Sequence, residues 1–200
     1  MLDKQRAETW INLFKEDIYK NKAYLSDLDT PIGDMDHGTN MDKGMHAYED
    51  SLAVSPATTL GEVFSGLGKA IISNVGGASG PFYGSAFKAF ATVIGDQTQV
   101  DDDVVIAMVQ AALEKIQKWG KAEEGSKTMV DVWAPVLRAM KDHSLTEAVI
   151  EEAFQATAPM LATRGRASYL GERSIGHLDP GSCSSAYLFK AMLKSGAFNG

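Results

Sequence analysis

Apolar side chains recur at helical spacing along almost the whole chain. One example is the series Leu60, Val63, Phe64, Leu67 and Ile71. Spacings of three and four residues place such side chains on one face of an α-helix. Convincing apolar–polar alternation of the kind that marks a half-buried strand is absent. The pattern therefore predicts an all-α protein with eight helices, at approximately 4–20, 39–52, 59–74, 80–94, 101–119, 127–141, 145–163 and 182–196.

Two of the predicted helix starts carry a capping box, in which Ser or Thr is followed three residues later by Glu. These pairs are Thr59 with Glu62 and Ser144 with Glu147. In a capping box the two side chains satisfy each other's free backbone N–H groups. We therefore expect a helix to start at each pair.

Long polar loops alternate with short turns along the chain. In an up-and-down bundle of antiparallel helices, every second loop lies at the same end. We therefore expect one antiparallel barrel or bundle over residues 1–200, with the long loops at one mouth and the last of them acting as a lid. The loops are 21–38, 75–79, 120–126 and 164–181, and the intervening turns are 53–58, 95–100 and 142–144.

Composition narrows the functional classes. The chain has 200 residues, a net charge of −7 and no basic stripe, which argues against binding nucleic acid through its phosphates. No apolar run approaches the ~18 residues that a membrane span needs, and the N-terminus lacks an apolar stretch of the signal-peptide type. A single cysteine, Cys183, excludes an internal disulfide. A cytoplasmic protein without a membrane or nucleic-acid partner is the expectation.

Three aspartates, Asp29, Asp34 and Asp36, lie within eight residues and are followed at once by His37 and Asn40. Each pair of crowded carboxylates repels by about 1 kcal/mol in water and by about 4 kcal/mol in a protein-like medium. Asp and Asn are also common in turns, where they bond their own backbone. A plain turn would not need so many acidic and amide side chains together. The size of the cluster therefore favours a site for a hard cation such as magnesium, with substrate phosphates completing its shell.

The other long loops offer groups that suit a phosphate. The glycine-rich turn at 75–79 runs into a predicted helix start, where free N–H groups and the helix dipole attract anions, although it could equally be a plain connection. The third loop is followed by Met129, which could pack on a base or fill the core. Clustered arginines such as Arg166 in the fourth loop could clamp phosphates.

Four motifs, in this order along the chain, resemble the nucleotide-binding L subunits of bacterial dihydroxyacetone kinases. They are GDMDHG at 33–38, SNVGGASGPFYG at 73–84, KAEEGSKTMVDVW at 121–133 and GRASYLGERSIGHLDPG at 165–181. The resemblance covers essentially the whole chain. It implies an eight-helix antiparallel barrel that holds ADP or ATP and two magnesium ions at one end.

Carried over by position, the resemblance implies specific site residues. Asp29, Asp34 and Asp36 would be the metal ligands, and Arg166 a further catalytic group. The implied nucleotide contacts are His37, Gly38, Thr39, Asn40, Ala78, Ser79, Gly120, Met129, Arg166, Asp179, Pro180 and Gly181. The histidine at position 37 favours the branch of the family that depends on the phosphotransferase system.

The resemblance also implies partners. Dihydroxyacetone would sit on a separate K subunit, and a phosphohistidine subunit, M, would rephosphorylate ADP in place. A transcriptional regulator or a second copy of the chain are further candidate partners. Two alternatives remain open: an ATP-dependent kinase subunit for a triose or acyl substrate, and a nucleotide-sensing regulatory subunit of a transcription factor.

Overall fold

The computed structural model describes all 200 residues and consists almost entirely of helices. None of the helices is both long enough and apolar enough to cross a membrane. The elements are β1 (Leu2–Asp3), α1 (Lys4–Lys20), α2 (Lys22–Asp29), α3 (His37–Val54), α4 (Leu60–Asn74), α5 (Ser79–Ile94), β2 (Gln99–Val100), α6 (Asp102–Gly120), α7 (Val130–Lys141), α8 (Glu147–Gln155), a 3-10 helix (Arg166–Ser174) and α9 (Pro180–Lys194).

The helices form a closed ring around one core. From α2 to α8 each helix packs against the next, α8 packs against α9, and α9 packs against α1, which also contacts α3 and α4. A single cluster of buried side chains fills the interior. Aromatic rings contact one another across it, from Phe64 to Trp10, Phe90, Trp133 and Phe189. One continuous core joins all the long helices.

All eight predicted helices are present, and the all-α prediction is confirmed. The structure adds two short helical segments inside predicted loops: α2 within 21–38, and the 3-10 helix within 164–181. Helix α2 was not predicted from hydrophobic periodicity because only Leu25 and Asp29 of its eight residues are buried. The side chain of Asn21 donates to Asp17 O at 2.8 Å and marks the break between α1 and α2.

Two predicted helix boundaries were wrong by several residues. The helix predicted to reach 163 ends at Gln155. Pro159 lies in the turns that follow, and proline lacks the N–H that a continuing helix needs. The helix predicted to start at 127 begins at Val130, because Lys127 has a left-handed backbone with φ of 60°.

The predicted capping boxes had different outcomes. Thr59 and Glu62 form a capping box, in which each side chain accepts the other's backbone N–H at 3.2 Å. The capping box predicted for Ser144 and Glu147 was wrong, because Thr146 caps α8 by accepting from Val149 N at 3.3 Å. The structure also contains one short antiparallel pairing, Leu2 opposite Val100, which is too short to show alternation in the sequence.

Candidate functional site

The loops at 21–38, 75–79 and 164–181 contribute side chains or backbone to one cavity at the end of the barrel, and the third loop reaches it through Lys127, Thr128 and Met129, just beyond the predicted 120–126. Residues from the acidic segment, the glycine turn, the start of α7 and the predicted lid line its wall, together with the N-terminus of α9. The rule that every second loop of an antiparallel bundle lies at the same end therefore predicted correctly that these loops meet. The lining includes Asp29, Asp34, Asp36, His37, Asn40, Gly76, Gly77, Ala78, Ser79, Met129, Arg166, Asp179, Pro180 and Gly181.

The three aspartates form one cluster at the cavity. A ligand atom from each of Asp29, Asp34 and Asp36 lies within 4.8 Å of the others. Asp29 ends α2 and is buried, and its Oδ2 accepts the backbone N–H groups of Asp36 at 3.0 Å and His37 at 3.3 Å. These bonds fold the acidic loop back on itself. A Cβ added to Gly33 would lie 1.9 Å from Asp29 Oδ1, so only glycine fits there.

The electrostatics of this cluster favour a bound cation. Burial, reinforced by the Asp34 and Asp29 carboxylates, raises the pKa of Asp36, although a hydrogen bond from Asn40 opposes the rise. Arg166 Nη2 reaches Asp34 Oδ2 at 2.8 Å from the lid. Three convergent carboxylates with a single ion pair to a guanidinium fit a hard divalent ion such as magnesium.

The glycine turn presents backbone donors beside the acidic cluster. Gly76, Gly77, Ala78 and Ser79 line the cavity where α5 begins, and Gly77 adopts a left-handed backbone with φ of 65°. The N-cap residue, Ala78, makes no side-chain capping bond. The first N–H groups of α5 therefore lack a side-chain acceptor and suit an anion.

The start of α7 contributes both an apolar and a structural group. Met129 is 5% exposed and lines the cavity with Phe82 and Ile32, as a base-binding surface requires. Lys127 also lines it, but its Nζ donates to the carbonyls of Thr157 at 2.8 Å, and of Ala158 and Met160 at 3.2 Å each. All three protons of this buried lysine are thus bound by protein, beneath the lid.

His37 lies in the wall between the acidic loop and the glycine turn. Its Nδ1 lies 3.1 Å from Ser79 Oγ, and its Nε2 lies 2.9 Å from Ser184 Oγ. Burial lowers the pKa of His37 to about 4. The sequence interpretation missed Ser184 and its hydroxyl neighbours Tyr83 and Ser185. These residues lie at buried helical positions, and their spacing in the sequence does not distinguish them from ordinary core residues.

Three predicted nucleotide contacts do not line the cavity: Gly38, Thr39 and Gly120. A Cβ at Gly38 would lie 2.0 Å from Lys22 O, so this glycine permits close packing of α3 on α2. A Cβ at Gly120 would lie 3.3 Å from the Phe82 ring. Gly120 therefore lies behind Phe82, which lines the site, and contact of Gly38, Thr39 or Gly120 with a nucleotide stays a prediction.

Comparisons with known proteins agree with this geometry. The DAK2 domain family matches residues 31–194. The chain is 48% identical over 193 residues to the ADP-binding subunit DhaL of PEP-dependent dihydroxyacetone kinase 1 from Listeria innocua, covering 96% of this chain and 97% of that protein. It is 49% identical over 185 residues to the corresponding subunit of a PTS-dependent dihydroxyacetone kinase from Lactococcus lactis, covering 92% and 94%.

The fold is similar to that of a solved structure. The dihydroxyacetone kinase from C. freundii, crystallised in complex with AMP-PNP and Mg²⁺, superposes with a TM-score of 0.74 at 22% identity. The match covers 98% of this chain and 34% of that longer chain.

Proposed function

Because the chain belongs to the DAK2 domain family, we propose that it is the nucleotide-binding subunit of a dihydroxyacetone kinase, a phosphotransferase. One observation carries the proposal: the acidic cluster, the glycine turn and the lid arginine, which are far apart in sequence, meet in one cavity. Two relatives of nearly the same length are named as ADP-binding subunits of such kinases. Their names support ADP as the ligand.

Within this proposal, each wall of the cavity has a separate task. Asp29, Asp34 and Asp36 hold magnesium, two ions in the proposed complex, which supplies charge neutralisation to the phosphates. The N–H groups of the turn at 76–79 orient the phosphate tail, and Arg166 covers it from the lid. Phosphoryl transfer needs mainly positioning and electrostatic stabilisation, and these groups supply both kinds of interaction.

We further propose that the acceptor and the phosphoryl donor are supplied by partners. Dihydroxyacetone is bound by a separate K subunit, and a phosphohistidine subunit, M, rephosphorylates ADP while it stays in the cavity. The names of the relatives support a PEP-dependent, multi-subunit system. ADP would then act as a retained cofactor.

A reconstitution assay tests this proposal against the ATP-dependent alternative. The purified chain is combined with a dihydroxyacetone-binding subunit and either PEP with the phosphocarrier proteins or excess ATP alone. We expect dihydroxyacetone phosphate to accumulate with PEP. Turnover with ATP and no phosphocarrier would instead identify an ATP-dependent kinase, and ADP binding without turnover from either donor would identify a regulatory subunit.

An aspartate pair provides the matched variants for that assay. Asp36→Asn removes charge from the cluster and should abolish transfer. Asp27→Asn changes an aspartate on α2 that lies outside the cavity, and should leave the rate unchanged. Full activity in the Asp36→Asn protein would refute the assignment of the metal site.

A further inference from the structure

A chain of hydroxyl groups runs beneath the cavity and ends at the proposed nucleotide site. All its members except Ser79 are buried. The consecutive contacts are Trp133 Nε1 to Ser185 Oγ at 2.9 Å, Ser185 Oγ to Tyr83 OH at 3.0 Å, Tyr83 OH to Ser184 Oγ at 2.7 Å, Ser184 Oγ to His37 Nε2 at 2.9 Å, and His37 Nδ1 to Ser79 Oγ at 3.1 Å.

The direction of each hydrogen bond follows from the end of the chain at Trp133. An indole N–H can only donate, so Ser185 Oγ accepts from Trp133. Of the two remaining neighbours of Ser185 Oγ, the Gly181 carbonyl is the nearer, at 2.8 Å against 3.0 Å for Tyr83, and it can only accept, so Ser185 donates its single proton to Gly181 O. Ser185 therefore has only a lone pair left for its contact with Tyr83, and the Tyr83 hydroxyl donates to it at 3.0 Å in preference to Gly181 O, which lies farther away at 3.5 Å.

The same argument extends to the imidazole. Because the Tyr83 proton points to Ser185, the contact between Tyr83 and Ser184 contains the proton of Ser184. The one other acceptor near Ser184 Oγ is Gly181 O at 3.1 Å. That carbonyl already accepts from Ser185 and is the longer contact, so Ser184 donates to Tyr83 at 2.7 Å and offers His37 only a lone pair. Nε2 of His37 therefore donates. In a neutral imidazole the nitrogen that carries no proton can only accept, so with the proton on Nε2 the Nδ1 atom accepts from Ser79 Oγ.

We propose that this chain of hydroxyl groups holds His37 as its Nε2–H tautomer, so that Ser79 donates its proton to Nδ1 and presents only lone pairs to the cavity. Tyr83 and Ser184 are then positioning residues, which act through His37. The Ser79 side chain can accept from water or contact a cation, but it cannot donate to a phosphate. The role given to Ser79 rests on the proposed function, whereas the tautomer does not.

The tautomer can be measured directly on the ligand-free protein. Long-range ¹H–¹⁵N correlation spectra of the ¹⁵N-histidine-labelled chain distinguish a protonated ring nitrogen from an unprotonated one, and loss of one signal set in His37→Gln assigns His37. We expect a protonated Nε2 and an unprotonated Nδ1 near neutral pH. A protonated Nδ1 with an unprotonated Nε2 would overturn the proposal.

Two tyrosine variants test the contribution of the hydroxyl chain. Tyr83→Phe removes the acceptor of the Ser184 proton, which can then turn to His37, so the single-tautomer signature should be lost. Tyr48→Phe deletes another buried hydroxyl, which donates to Val63 O at 3.1 Å, and should leave the His37 signals unchanged. An unchanged spectrum in Tyr83→Phe would remove Tyr83 from the positioning chain.

ADP binding to Ser79→Ala, measured by calorimetry with and without Mg²⁺, tests the role of Ser79. If Ser79 presents only lone pairs, the variant should lose roughly tenfold in affinity with Mg²⁺ and nothing in its absence. An equal loss in both conditions would mean that Ser79 donates to the phosphate, and would overturn this role. If the wild-type chain binds no ADP in either condition, the proposed function fails, while the spectra still decide the tautomer.

Discussion

Gly33→Ala is expected to damage the site by moving a single carboxylate. The new Cβ would lie 1.9 Å from Asp29 Oδ1 and 2.7 Å from its Cγ, so the Asp29 side chain must move by about 1 Å or more to relieve the overlap. That movement strains its hydrogen bonds to the N–H groups of Asp36 and His37. Each charge-assisted bond contributes roughly 1.5–3 kcal/mol, so the unfolding free energy should fall by about 2 kcal/mol.

The effect on ligand binding should exceed the effect on stability. Magnesium demands near-ideal octahedral geometry at about 2.0–2.1 Å, and a misplacement of about 1 Å in a site can cost roughly a hundredfold. Calorimetry with ADP at saturating Mg²⁺ and urea denaturation measure the two quantities. Gly66→Ala is the control, because its Cβ would meet only a Tyr48 ring carbon at an ordinary 3.5 Å. Wild-type ADP affinity in Gly33→Ala would refute the role of Asp29.

Three further variants probe the lid, the buried lysine and the α9 cap. Arg166→Ala should release ADP during gel filtration, with roughly a tenfold loss in affinity, whereas Arg173→Ala, also in the lid, should retain it; equal retention would contradict the clamp. Lys127→Met leaves three carbonyls without their donor and should lower the unfolding free energy by about 3 kcal/mol, so an unchanged denaturation midpoint would refute the anchoring role. Burial raises the pKa of Asp179 to about 6 from 3.8, so its contribution to stability is complete below pH 3.8 and is lost as the pH rises through about 6. Asp179→Asn should therefore flatten the fall in unfolding free energy across that range, and an unchanged pH profile would contradict the burial argument.

Long amphipathic helices made most of the fold predictable. A series such as Leu60 to Ile71 buries one face of α4, and the order of such helices placed the four long loops at one end. Helix α2 was not predictable, because eight residues with two buried positions give no measurable period. Pro159 was a signal in the sequence that the prediction of a helix to 163 should have respected.

The acidic cluster was predictable and its hydroxyl neighbours were not. Asp29, Asp34 and Asp36 are close in sequence, so their mutual repulsion follows from their spacing along the chain. His37 and Ser184 are 147 residues apart, and their contact exists only because the closed ring of helices brings the start of α9 to the start of α3. Local patterns carry no information on such a pair. The left-handed backbone of Met35, with φ of 63°, was equally invisible in the sequence.

Native mass spectrometry of the gently purified protein tests the central claim most directly, because it weighs the nucleotide and the metal together. The arrangement of the cavity predicts a bound species whose added mass equals ADP with magnesium, and the loss of both from Asp36→Asn. ADP retained at full occupancy without magnesium, or retained equally by the Asp36→Asn protein, would contradict a site in which the three carboxylates hold the cation that seats the phosphates.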